Sequence, residues 1–90
     1  MTDQEIRCAI LKYVYDEKKA GKEVARGIMD RVARDYGVAP QRVDSILLDL
    51  KKGGLVKNAP RATMANATDM VITDKGISEY EEKCSETKGD

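Results

Sequence analysis

The side chains able to do chemistry in this sequence are few in kind. There is no histidine, and the two cysteines, Cys8 and Cys84, stand far apart with no Cys-x-x-Cys pair. Histidine is the commonest general acid–base, so its absence, with no glycine-rich phosphate loop and no recognisable nucleophile motif, reads as a non-enzyme. The same composition argues against a zinc site of His and Cys, and no cofactor is called for. Adjacent acids such as Glu81 and Glu82 read as ordinary solvated surface. What remains is charge. Sixteen basic and sixteen acidic residues sum to zero, but they are unevenly spread. Residues 22–57 hold eight basic side chains (Lys22, Arg26, Arg31, Arg34, Arg42, Lys51, Lys52, Lys57) against five acidic, a net of +3. Residues 58–90 hold four against seven, a net of −3, and residues 1–21 balance at four each. A basic stretch of this kind suits a phosphate backbone, although it is also common as solvated surface.

The elements that would position these residues fit one domain of 90 residues, near the lower limit for a chain that folds without staples. Phe and Trp are absent, so the core has to be aliphatic, with four tyrosines as its large aromatics. No run approaches the ~18 apolar residues of a membrane span. The start, Met1-Thr2-Asp3-Gln4-Glu5, lacks the basic and then apolar pattern of a secretory leader. The expectation is a cytoplasmic protein whose cysteines are reduced packing residues, with a Cys8–Cys84 redox pair as the alternative.

Apolar spacing predicts a helix from Asp3 to about Lys19, with Ile6, Ala9, Ile10, Tyr13 and Val14 on one face. Thr2 or Asp3 can cap it, and Gly21 ends it. Cys8, Leu11 and Tyr15 form a second, thinner stripe opposite, so this helix should pack on both sides. Lys22–Val24 is too short to classify, and can pair weakly as a strand. A second helix is predicted from about Ala25 to Tyr36, with Ile28, Val32 and Tyr36 in one row and Gly27 weakening its start. Gly37 stops it. A third begins at Pro40, which suits a first helical position, and runs to about Lys52, burying Val43, Ile46, Leu47 and Leu50. After Gly53-Gly54, residues 55–57 and 70–72 read as two strands of a long hairpin. Thr73 can cap a last helix from Asp74 to about Cys84, with Ile77, Tyr80 and Cys84 on one face. The domain is therefore placed at 1–84, with 85–90 as a frayed tail.

The order is helix, helix, tight turn, helix, hairpin, helix. Within residues 29–48, Ala33 is small where a partner helix would cross, and Gly37 follows four residues later as a sharp turn. Val32, Tyr36, Val38, Val43 and Ile46 would fill the wedge between the helices. This window resembles the helix-turn-helix pattern. Leu47-Leu50-Lys51-Lys52-Gly53-Gly54-Leu55-Val56 resembles a recognition helix turning into a wing, and Ile72-Thr73-Asp74-Lys75-Gly76-Ile77 is similar to the "I-T-x-K-G" step into a closing helix. Over about residues 4–84, the chain resembles the winged helix-turn-helix domains of prokaryotic transcriptional regulators. The resemblance implies an α+β, mostly helical fold with a three-helix core, a two-stranded wing and a C-terminal helix.

It also implies double-stranded DNA as the partner. The third helix would enter the major groove with Ala39, Gln41, Arg42, Ser45 and Leu48 facing it, Gln41 suited to adenine and Arg42 to guanine or phosphate. The wing, with Lys57, Asn58, Arg61 and Thr63, would follow the adjacent backbone or minor groove. Arg26 and Arg34 would add phosphate contacts. Cys8, Leu11 and Tyr15 would receive the closing helix of the same chain or, with that helix, form a homodimer interface. Asp44, Leu48 and the zero net charge point to the other expectation, a winged-helix module that binds protein instead of DNA.

Overall fold

A computed structural model describes residues 2–60 and 69–84. The first helix, α1 (Asp3–Lys19), starts at a capping box. The Thr2 hydroxyl accepts from the Glu5 amide at 3.1 Å, and the Glu5 carboxylate accepts from the Thr2 amide at 2.7 Å. That backbone hydrogen bond from Thr2 is the main reason the Glu5 carboxyl is held below its ordinary pKa. Ile6, Ala9, Ile10 and Val14 are buried, and so is Leu11 from the thinner stripe.

The chain next passes along the edge of the sheet. Ala25 exchanges two backbone hydrogen bonds with Met70, at 2.8 and 2.9 Å. This isolated bridge commits Ala25 to extended backbone, and Gly27 follows in the left-handed region at φ 58°. The second helix, α2 (Ile28–Tyr36), therefore begins three residues later than the apolar spacing predicts. Gly37 ends it at φ 65°. Pro40 opens α3 (Pro40–Lys52), which buries Val43, Ile46, Leu47 and Leu50.

Strands β1 (Val56–Asn58) and β2 (Met70–Ile72) pair antiparallel, with Val56 opposite Ile72 and Asn58 opposite Met70. The first lies one residue later than expected. The last helix, α4 (Asp74–Glu79), runs on into a π-helical turn, Tyr80–Cys84. Its entry is tightly built. The Thr73 hydroxyl accepts from the Gly76 amide at 3.0 Å and reaches the carbonyls of Gly54 and Leu55 at 2.6 and 3.0 Å. Gly76 leaves no room for a Cβ, which would collide with the Leu55 carbonyl. The α+β, mostly helical class thus holds for the described residues, and 61–68 and the tail 85–90 lie outside them.

One aliphatic core joins α1, α2, α3 and the sheet through residues such as Ile10, Ile28, Leu50 and Met70, all fully buried. The closing segment covers the second stripe of α1. Tyr15 and Tyr80 stack with centroids 4.5 Å apart, Tyr15 donates to Glu81 at 2.9 Å, and Arg7 pairs with Glu79 at 3.4 Å. Cys8 and Cys84 are joined in a disulfide with their Cα atoms 5.5 Å apart. This corrects the expectation of two reduced cysteines. Their separation of 76 positions hides a contact that exists only once the closing helix lies on α1. Tyr36 is a second correction. It does not fill the wedge but is 42% exposed, because as the last residue of α2 it lines the cleft beside Lys12, Tyr13 and Asp16 of α1.

Candidate nucleic-acid interface

With Val43, Ile46, Leu47 and Leu50 turned inward, helical geometry of about 100° per residue sets Gln41, Ser45, Leu48 and Lys52 in the row facing away from the core. All four are exposed, Leu48 at 45%. Two short polar groups suited to base edges therefore sit at the N-terminal half of a ridge, followed by an apolar side chain and a cation. Asp44 and Asp49, also exposed, flank the row on either side. The Gly37 turn and Pro40 start position this ridge. Residue 37 in the left-handed region lets the chain reverse within three residues, and Val38, half-buried, packs back against the core.

Arg42 stands about a quarter turn from the ridge, on the side of the α1 N-terminus. Its Nε and Nη2 both donate to Asp3 Oδ1, at 3.3 and 3.0 Å. Gln41 and Ser45 thus share a face that Arg42 only borders. On the other side, the Lys51 ammonium donates to the Asn58 side chain at 3.3 Å, tying the end of α3 to β1. Lys57 is exposed on β1. Among the described residues, Lys52 and Lys57 have no carboxylate partner. Ala39 is exposed at the helix start. Arg61 and Thr63 lie outside the described residues.

The remaining candidates sit at opposite ends of α2. Arg26, its side chain 78% exposed, has Nη1 4.0 Å from Asp69, and Arg34 pairs with its neighbour Asp35 at 3.4 Å. One stands just before the first turn of α2 and the other in its last turn, so they are two separate cations and not a single cluster. Arg31 and Lys22 both face Glu17, at 3.5 and 3.9 Å. Five of the eight cations of residues 22–57 thus meet a carboxylate within 4.0 Å, so the local surplus of charge is largely neutralised within the fold.

Sequence reasoning missed Asp69. It is the one buried charged residue among those described, 7% exposed, at the foot of the hairpin. Its Oδ1 accepts from the Gly27 amide at 2.9 Å, capping α2 from a distant part of the chain. The available signal was indirect: α2 starts without a Ser, Thr, Asp or Asn to accept its first amides. Asp69 thereby locks the root of the hairpin to the start of α2.

Other chemistry is scarce. A cleft of about 190 Å³ between α1 and the end of α2 is lined by Lys12, Tyr13, Asp16 and Tyr36. Pockets for small organic ligands run from about 300 Å³ upward. Tyr13 donates to Asp35 across this seam, and the hydrogen bond to Asp16, 2.7 Å long, is the main reason the Lys12 pKa is raised. No three His, Cys, Asp or Glu residues converge as metal ligands among the described residues. No helix there is long and apolar enough to cross a membrane. In comparisons with known proteins, no family model, no curated protein and no solved structure matches this chain.

Proposed function

We propose that the chain is a winged helix-turn-helix domain that binds double-stranded DNA as a transcriptional regulator in a prokaryotic cytoplasm. In this reading α3 enters the major groove and the β1–β2 hairpin is the wing, lying along the adjacent backbone. The observation that carries it is the exposed outer row of α3, Gln41, Ser45, Leu48 and Lys52, set between the α1 N-terminus and the hairpin. A helix raised in this way fits the width of the B-DNA major groove, and its first turn carries the side chains that reach base edges. Lys57 on β1 supplies a cation beside it. Two copies would set two such helices about one DNA turn apart. Leu11 is buried and Cys8 bonded within the chain, so such a homodimer needs surface other than this stripe, or its opening.

The second reading, a protein-binding module, is favoured by Leu48 and the flanking Asp44 and Asp49. Salt separates the two. Affinity for a random duplex, measured by fluorescence anisotropy at 50 and 200 mM salt, should fall steeply if phosphates are contacted. The slope of log K against log salt is about −0.9 per neutralised phosphate. Amide shifts on adding the duplex should cluster on 39–48 and 57–58. Shifts elsewhere, or no salt-dependent binding, would leave the protein-binding reading standing.

A further inference from the structure

Arg42 carries the one guanidinium at the start of α3, and both of its named donors point at the same carboxylate oxygen of Asp3, at 3.0 and 3.3 Å. The pair joins the first turn of α1 to the first turn of α3, 39 residues apart in the chain. Carboxylate, phosphate and the guanine edge all present acceptor atoms to the same fork of N–H groups. An arginine held by one cannot offer those same protons to another. Resting on the DNA-binding reading, we propose that Asp3 is an intramolecular competitor for Arg42, setting how readily this arginine engages DNA.

The geometry fixes the direction and the size of the effect. Arg42 lies beside the exposed row of α3, within reach of a groove that receives that row, yet its guanidinium is drawn back toward α1. The Asp3 side chain is 75% exposed and that of Arg42 43%, so the pair is hydrated and weak. It acts as a bias, not a lock. On random duplex, Arg42 remains partly on Asp3 and contributes less than a full phosphate contact. A guanine at the matching position offers two acceptors, N7 and O6, and displaces Asp3 more completely. Asp3 thereby acts as a specificity-determining residue, lowering non-specific affinity more than specific affinity.

The test is a double-mutant cycle on random duplex DNA, followed by anisotropy, with a melting curve for every variant. Asp3→Asn should tighten binding about two- to five-fold at low salt and steepen the salt slope by up to about one counterion. Asp3→Ser, equally at home in a first turn, should do the same. In an Arg42→Ala background neither substitution should change affinity. The same gain with and without Arg42 would reduce the effect to net charge and overturn the proposal. Unchanged affinity for Asp3→Asn, with wild type still binding in a salt-dependent way, would also overturn it while leaving DNA binding intact. If neither wild type nor any variant binds duplex DNA, the functional reading fails and this one falls with it.

Discussion

At the scale of single residues, two positions without slack govern the foot of the hairpin. Gly76 faces the Leu55 carbonyl so closely that a methyl group displaces backbone, not a flexible side chain. Gly76→Ala should destabilise the domain by about 1–3 kcal/mol, the range for overpacking, read as a lower melting temperature. Asp69 offers a contrast between two substitutions. Asp69→Ala leaves the Gly27 amide without its acceptor in a part-buried place and should cost about 1–3 kcal/mol. Asp69→Asn keeps an acceptor oxygen there and should cost less; equal losses would mean that the carboxylate charge, and not the capping bond, is what matters. Arg42→Ala should weaken duplex binding with little change in melting temperature, since it removes an exposed ion pair with Asp3.

At the scale of elements, the reversal between α2 and α3 depends on backbone conformation. Gly37 sits at φ 65° with nothing within 4 Å of the point where a Cβ would stand, so a larger residue meets strain without crowding. Gly37→Val should lower stability markedly, by more than the roughly 1–2 kcal/mol of an ordinary left-handed residue, because β-branching aggravates that conformation. Gly37→Asn should be milder, since Asn tolerates this region. Matching melting curves for the Val and Asn variants would show that strain at this turn does not control stability. The α1 capping box carries a pH signature. Glu5 titrates below its ordinary value, so its contribution is complete at neutral pH and fades as acid carries the folded carboxyl through that lowered value. Helix signal from α1 should therefore soften in acid in the wild type and change less in Glu5→Gln, which keeps a capping acceptor but does not titrate.

At the scale of the whole molecule, the Cys8–Cys84 bond closes nearly the entire described chain into one loop, with 76 residues of separation. Restricting an unfolded chain over that length is worth about 4.5 kcal/mol on a chain-entropy account, within the roughly 2–5 kcal/mol typical of native disulfides. A thiol reductant should therefore lower the melting temperature substantially, and Cys8→Ser with Cys84→Ser should show the same low value with no further response to reductant. A wild-type melting curve indifferent to reductant would show that this cross-link does not stabilise the fold. The bond also fastens the closing turn against the stripe of α1 that carries Leu11 and Tyr15.

The sequence by itself determined the order of the helices and the bounds of α1 and α3, the strands to within a residue, the turn at Gly37 and the buried face of α3, but not the start of α2 or the π turn that ends the chain's last helix. What it determined rests on interactions between residues a few positions apart, or on the intrinsic preferences of Gly, Pro and Thr, and both are written into adjacent letters. Tertiary structure alone decided the Cys8–Cys84 bond, the cap that Asp69 places on α2 across 42 residues, and the hold of Asp3 on Arg42 across 39. It also left Tyr36 outside the wedge, because the point where two helices cross is set by everything packed around them. Spacing specifies which way a side chain points from its own element. Which other element waits there depends on how the whole chain closes, and that closure decides which of its charges remain available to a partner.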